Sequence, residues 1–248
     1  MTKRKIRIIN LDEIDSTNTY LRALAEKGEA EGLIVTANYQ SAGRGRHGKS
    51  FFSPADTGLY MSVLLRPALS VEDSLFITPM TAVAVSRAIE SVSNVKCGIK
   101  WVNDIFIGEK KVSGILCEAS FNHTENKVNY IVAGIGININ KPKEGFPTEL
   151  GDIAAFLGND DIKEKLLHKI IEELFSIYNT LPSHSFFDEY KARSVILGRE
   201  VEVLGSEPFQ GTVLDIDESC HLVIKKNDGE IKKLSSGEIS IKIAKKQI

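Results

Sequence analysis

Gly32-Leu33-Ile34-Val35-Thr36-Ala37-Asn38-Tyr39 runs directly into Gln40-Ser41-Ala42-Gly43-Arg44-Gly45-Arg46-His47-Gly48-Lys49-Ser50, and the residues on the far side of this junction decide the fold. The first segment is rich in β-formers and reads as a strand. The second interleaves glycines with arginines and a lysine and has no apolar face. Glycines this close together lose much backbone entropy on folding, which makes sense where the chain needs unusual dihedrals or a close approach to a ligand. Exposed backbone N–H groups beside guanidinium forks make a nest for an anion, a phosphate or a carboxylate. Gly43-x-Gly45-x-x-Gly48 matches the dinucleotide fingerprint, but that motif has meaning only if a helix opens at its last glycine. Here Ser50-Phe51-Phe52-Ser53-Pro54 has no helical period, and Leu59 to Leu65 reads as another strand. No H-R-D or D-F-G accompanies the loop, so a kinase reading also falls. The segment is a strand–loop–strand anion site. A dinucleotide oxidoreductase is disfavoured, and a solvated basic loop without a ligand is the lesser alternative.

Outward from this loop, the sequence alternates helices and strands and then changes texture. A first helix is expected from Asp15/Ser16 to near Gly28, with Leu21, Leu24 and Ala25 facing inward. A second is expected from about Ser70 to Asn94, opened by Ser70 and Asp73, with Pro79 marking a kink or a later start. Strands are expected at 96–101, 104–107, 112–118 and 128–139, with a tight turn at Gly108-Glu109-Lys110. Helices follow around 153–157, over 162–178 with an apolar stripe from Leu166 to Tyr178, and over 182–191 capped by Ser185. From about Val195, five short strands with glycine turns (198–205, 211–217, 221–225, 230–234 and 239–243) suggest a small SH3-like barrel. The fold class is therefore α+β, a mixed sheet flanked by helices. The expected domains are residues 1–194 and a C-terminal β-barrel of residues 195–248.

The bulk composition excludes several classes. The 248 residues are 42% apolar and 26% charged with a formal net charge of −2, which argues against a dedicated nucleic-acid binder. Three cysteines (Cys97, Cys117, Cys220) without a C-x-x-C pair point to reduced thiols with no catalytic or zinc role. No run of about 18 uninterrupted apolar residues is present, so no membrane span is expected. Met1-Thr2-Lys3-Arg4-Lys5 lacks the apolar stretch of a signal peptide, and a cytoplasmic location is the expectation.

Further polar groups sit in apolar sequence and need partners, because burying them unpaired is costly. In Lys100-Trp101-Val102-Asn103-Asp104, Lys100 suits a phosphate, Asn103 a base or ribose, and Asp104 a magnesium ion shared with phosphate oxygens. The competing reading is a structural turn with an internal salt bridge. In Lys110-Lys111-Val112-Ser113-Gly114-Ile115-Leu116, strict alternation puts Lys111 with Ser113 and Ile115, and Lys110 with Gly114. Gly114 inside a strand marks close approach. Ser16-Thr17-Asn18 serves equally as a helix cap, and Asn138, in Gly134-Ile-Gly136-Ile-Asn138, suits a capping or a ligand role. The histidines at 47, 123, 168, 184 and 221 have no catalytic motif around them. The chemistry is charge stabilisation, with no nucleophile–base pair.

Taken in series, Ser16-Thr17-Asn18, Gln40 with Gly43 to Gly48, Lys100 to Asp104, Lys111 to Leu116, Gly134 to Asn138 and the C-terminal barrel resemble the biotin–protein ligases. The resemblance implies the class II synthetase-like catalytic fold of the biotin and lipoate ligases. It also implies an enzyme that makes biotinyl-5′-AMP from biotin, ATP and Mg²⁺, then passes biotin to a lysine of a biotin carboxyl carrier domain. By that resemblance Ser16, Thr17, Asn18 and Gln40 hold the ureido ring. Arg44, Gly45 and Arg46 lie over carboxylate and phosphate. Lys111 bonds the developing acyl oxygen beside Gly114, so that Arg46 and Lys111 are the catalytic pair. Phe51, Lys100, Asn103 and Asn138 serve the nucleotide, and Asp104 the metal. Phe51 stands where the family usually has a tryptophan, and Val102 where it usually has a proline. No helix-turn-helix domain precedes Ser16, so repression of transcription is not expected; a homodimer is plausible by analogy. The rivals are a lipoate or octanoate ligase and a non-catalytic biotin sensor on the same scaffold.

Overall fold

The computed structural model describes residues 4–122, 124–158, 160–204, 207–235 and 240–243. Of the positions named above, Met1, Thr2, Lys3, His123, Gly205 and Ile239 lie outside the described residues, as do the last five positions of the chain. The chain begins with strand β1 (Arg7–Ile14), helix α1 (Thr17–Glu26) and strand β2 (Leu33–Gln40), with β1 and β2 parallel. Strand β3 (Gly58–Leu65) returns antiparallel to β2. Between β2 and β3 the glycine loop forms only a single 3-10 turn at Arg46–Gly48, which bears out the strand–loop–strand reading. All eight residues of β3 are buried, as expected of a central strand covered on both faces.

A 3-10 turn at Asp73–Phe76 leads into helix α2 (Ile77–Val92), and Ser70 and Asp73 bond one another as a capping pair. Pro79 thus lies in the first turn of α2, where its missing N–H has no helical acceptor to lose: the later start, not a kink. Strands β4 (Gly98–Lys100), β5 (Asp104–Ile107), β6 (Lys110–Asn122) and β7 (Lys127–Asn138) complete a seven-stranded sheet of order β1-β2-β3-β7-β6-β5-β4. On one face α1 packs Leu21 and Ala25 against Leu33, Val35, Leu64, Tyr130 and Val132. On the other lie α2 and helix α4 (Lys163–Tyr178), with Met80, Val83 and Ile89 beside Leu166, Ile170 and Leu174 in the larger core. The stretch Asp73–Val92 is long and apolar enough to cross a membrane by composition alone, but two thirds of it is buried in this core.

Two local expectations are corrected, and one element is added. The short helix is α3 (Thr148–Gly151), whereas residues 153–157 run alongside the start of β6, with Lys111 N–H donating to Ile153 O and Ala155 N–H to Lys111 O. Helix α5 spans Phe187–Ala192 and begins after Phe186; Ser185 is not its cap and bonds Thr180 instead. Strand β1 is an element the sequence pattern does not announce, because its charged, half-exposed edge hides the period.

The C-terminal module is a five-stranded antiparallel sheet of the SH3-like kind, ordered β11-β10-β9-β8-β12. Its strands are β8 (Glu200–Leu204), β9 (Phe209–Ile216), β10 (Leu222–Lys226), β11 (Ile231–Leu234) and β12 (Ser240–Ile243). Trp101 joins it to the seven-stranded sheet: its buried indole N–H donates to Cys220 O at 2.8 Å. Tyr190, fully buried, donates to Val102 O at 3.1 Å.

Candidate functional site

Cross-strand pairing places glycines side by side on the α1 face of the sheet. Gly114 pairs with Gly136 across β6 and β7, and Leu116 with Gly134. Lacking side chains, these positions form the floor of a trough bordered by the start of α1, the glycine loop and the first residues of β6, and Asn18, Phe51 and Lys111 lie across that floor. A Cβ on Gly134 would stand 2.0 Å from Asn18 Oδ1, and one on Gly136 2.5 Å from the Phe51 ring. The floor therefore has to be glycine for those side chains to lie down on it.

At one end of the trough, α1 begins. Ser16 is buried at its N-cap position but makes no side-chain cap bond, so the capping reading of this triplet fails. Thr17 and Asn18 instead form a network of buried polar groups. Thr17 donates N–H and hydroxyl to Gln40 Oε1 at 2.9 and 3.1 Å, and the Ser62 hydroxyl lies 2.8 Å from Thr17 Oγ1 and 2.6 Å from Asn18 Oδ1. Gln40 Nε2 donates to Ser53, and Asn18 Nδ2 donates to Leu116 O and to Glu118. These groups bond one another, which fixes the donors and acceptors at this end.

The other end is cationic. Lys111 Nζ sits 2.7 Å from Asp104, which also accepts from Asn103 Nδ2 at 3.0 Å. Arg46 donates to Asn103 Oδ1 at 3.2 Å, a neutral partner. Burial works against the Arg46 charge and Asp104 offsets it in part. Burial likewise lowers the Lys100 pKa; Asp104 opposes this, while Lys111 and Lys49 add repulsion. His47 is held below its usual value by burial and by Arg46 and Lys49, so it adds no charge near neutrality. Several cations thus face a single carboxylate, a field that an incoming polyanion relieves.

The alternation expected along β6 is broken. β5 and β6 pair Asp104 with Gly114 and Ile105 with Ser113, but then Phe106 with Lys111, leaving Val112 as an unpaired bulge. The bulge turns Lys111 to the Gly114 face, where a Cβ on Gly114 would meet its Nζ at 3.0 Å. Ser113 points to the opposite, buried side with an unpartnered hydroxyl.

The two arginines of the loop are also divided. Arg44 reaches Glu118 at 3.0 Å, whereas Arg46 stays at the Asp104 end. Gly45 N–H closes the loop onto Lys49 O at 2.7 Å, and Phe51 N–H onto Gly43 O at 2.8 Å. Phe51 lies over the glycine floor, edge-on to Tyr60. Asn103 also bonds Ile115 O, and Asp104 pairs with Lys111 and not with Lys100, so the segment 100–104 is a structural turn whose salt bridge reaches outside it instead of closing internally. Asn138 Nδ2 donates to Ala155 O and pins the segment beside Lys111, a capping role. Ser62 and Glu118 border the site and were missed by sequence reasoning, which named the Gly134–Gly136 segment but gave its glycines no part. Glu118 was findable by the rule applied to Lys100, a charge inside an apolar strand. Cys97 and Cys220 are pushed up to about 12 and Cys117 to about 11 by burial, which keeps them as inert thiols.

The sequence matches the Biotin/lipoate A/B protein ligase family over residues 11–138 and the Biotin protein ligase C terminal domain over residues 196–242. This chain belongs to the biotin protein ligase family. Relatives include the bifunctional ligase/repressor BirA of Bacillus subtilis, 33% identical over 94% of this chain and 74% of its own length. The biotin--[acetyl-CoA-carboxylase] ligase of Mycobacterium tuberculosis is 29% identical over 84% of this chain and 79% of its own. The Aquifex aeolicus biotin protein ligase in complex with biotin and ATP superimposes with a TM-score of 0.80 at 29% identity, covering 96% of this ligase and 99% of that chain. The family's mixed sheet and small C-terminal β module are those described above, and this ligase is an enzyme of that class.

Proposed function

We propose that this ligase adenylates biotin and transfers it to one lysine of a biotin carboxyl carrier domain. The observation that carries this reading is the polarity of the trough: a hydrogen-bonding network at the Asn18 end, whose carboxylate Glu118 is paired with Arg44, and Arg46, Lys100 and Lys111 around Asp104 at the other. A carboxylate attacking the α-phosphate of ATP brings two anions together, and preorganised cations lower that barrier. The carboxylate oxygen bonds to the α-phosphorus and pyrophosphate leaves. The carrier lysine amine then attacks the acyl carbon and AMP leaves.

In this reading Ser16, Thr17, Asn18 and Gln40 hold the ureido ring. Arg46 and Lys111 stabilise the anionic oxygens, and the backbone of Gly45 and Gly114 admits the ligand closely. Phe51, Lys100, Asn103 and Asn138 serve the nucleotide. Among the described residues no group of three or more His, Cys, Asp or Glu side chains could hold a metal ion by itself. Asp104 nonetheless suits a magnesium ion that arrives with phosphates, since such an ion takes one or two carboxylates and keeps the rest of its shell from substrate and water. That ion would neutralise phosphate charge. A carboxylase carrier as acceptor is supported by the name of the Mycobacterium tuberculosis relative.

The test is ATP–pyrophosphate exchange with Mg²⁺ in the presence of biotin, lipoate, octanoate or no acid. Exchange with biotin alone, followed by labelling of a purified carrier domain, supports the reading. Exchange with lipoate or octanoate alone replaces the substrate, and no exchange by a folded sample favours a sensor.

A further inference from the structure

Glu118 is a carboxylate to which the proposed chemistry assigns no task, yet it stands in the trough wall. Its side chain is 17% exposed on β6. It accepts from Asn18 Nδ2 at 2.9 Å, lies 3.0 and 3.2 Å from Arg44 Nη1 through its two oxygens, and faces Arg22 at 3.6 Å. Asn18 is itself held at its oxygen by Ser62. One carboxylate thus ties the start of α1, the glycine loop and the central sheet together. Its electrical effect is as specific as its mechanical one. Arg44 is paired with Glu118 at 3.0 Å beside the Asn18 network, with Arg22 more distant from the same carboxylate at 3.6 Å, whereas Arg46 has the uncharged Asn103 as partner at the other end.

We propose that Glu118 is a positioning residue that sets which way round the acid substrate lies, by cancelling Arg44 so that only the Arg46–Lys111 end of the trough attracts a carboxylate. The inference rests on the proposed function. Without the Glu118 charge, Arg44 competes for the substrate's carboxylate at the end meant for its neutral ring. Acids without a ureido ring, such as octanoate, gain most from that misplaced cation, because they forgo no ring contacts by binding reversed.

The experiment compares wild type with Glu118→Gln and the double variant Glu118→Gln/Arg44→Gln, in biotin-dependent pyrophosphate exchange with octanoate as inhibitor. Glu118→Gln keeps an acceptor for Asn18 and removes the charge. Its expected result is a biotin KM raised about fivefold with kcat little changed, and octanoate inhibition strengthened to a similar degree, as fits one partly exposed ion pair. The double variant, neutral at both positions, returns octanoate inhibition to the wild-type level. A loss of packing alone would weaken biotin without strengthening octanoate and would not be rescued by a second change. Arg44→Gln alone, on an exposed loop, covers the case of a Glu118→Gln that does not fold, and it leaves octanoate inhibition at or below wild type. Unchanged octanoate inhibition in a folded Glu118→Gln, no rescue in the double variant, or stronger inhibition in Arg44→Gln overturns the inference. The wild-type exchange is read first: its absence refutes the proposed function and this inference together, whereas the other failures refute the role of Glu118 alone.

Discussion

Replacing Gly134 by alanine tests the glycine floor directly. The new methyl would stand 2.0 Å from Asn18 Oδ1, 2.7 Å from its Cγ and 2.9 Å from its Nδ2. All three distances are shorter than any real Cβ contact, so the buried carboxamide has to leave. Its departure breaks the bonds from Ser62, to Leu116 O and to Glu118, the last to a carboxylate. At about 1 kcal/mol net for each bond the loss is about 3 kcal/mol. The stiffer unfolded chain of an alanine variant returns roughly 0.5 kcal/mol. About 2–3 kcal/mol remains, equivalent to a Tm lowered by roughly 4–12 °C for a chain of this size. Two assays read it: thermal or urea unfolding, and the KM for biotin, since the lost carboxamide is assigned to the ureido ring. Gly151→Ala, with nothing within 4 Å of its new methyl, is the control and should unfold as wild type. A Gly134→Ala protein with wild-type Tm and a biotin KM within about twofold would refute the packing argument, because a difference of about 1.4 kcal/mol already means tenfold.

The remaining predictions concern charge. Lys111→Ala should leave the fold intact and lower kcat for exchange by about 10²–10³, the usual loss for a preorganised oxyanion donor; turnover at the wild-type rate would remove its assigned role. Arg46→Gly should unfold as wild type and release the biotin adenylate faster, since the Arg46 guanidinium is held by a hydrogen bond to Asn103 and by no close ion pair among the described residues; an unchanged release rate in rapid filtration would count against it. Glu90 is held below its usual carboxylate value, foremost by the Arg193 guanidinium. A depressed carboxylate adds stability above its unfolded pKa and loses it as pH falls through the folded one. Urea midpoints should therefore be flat near neutrality and fall below about pH 4.5, and Glu90→Gln should flatten that fall. Equal acid sensitivity in the variant would show that the pair contributes nothing. Lys100 titrates below an ordinary lysine because it is buried. Lys100→Arg should thus extend activity to higher pH, read as a shifted alkaline limb of kcat/KM.

Local pattern carried much of this protein. A strand before and after the glycine loop, with no helix between, excluded a dinucleotide turn. The apolar stripes within about 70–94 and 162–178 marked the helices that cover one face of the sheet, the first of which starts only at Ile77, and glycine-spaced short strands after Val195 marked the second sheet. These are properties of neighbouring residues: dihedral preference, period and side-chain volume act within a few positions. The residue types of the site were legible for the same reason, since an amide, a cation or a carboxylate inside apolar sequence announces that it needs a partner.

Which partner it finds is decided only by tertiary structure. Nothing local distinguishes Arg44 from Arg46, yet one faces Glu118, 74 positions along the chain, and the other Asn103, 57 positions along. The Val112 bulge reverses Lys111 and brings it to Gly114, although the sequence alternates without interruption. Strand β1 forms because β2 offers it hydrogen bonds through a helical crossover, not because its own pattern asks for a sheet. The reason is common to all three. Hydrogen-bond register and charge pairing are settled between segments distant in sequence, where each polar group takes the partner that the packed sheet leaves within reach.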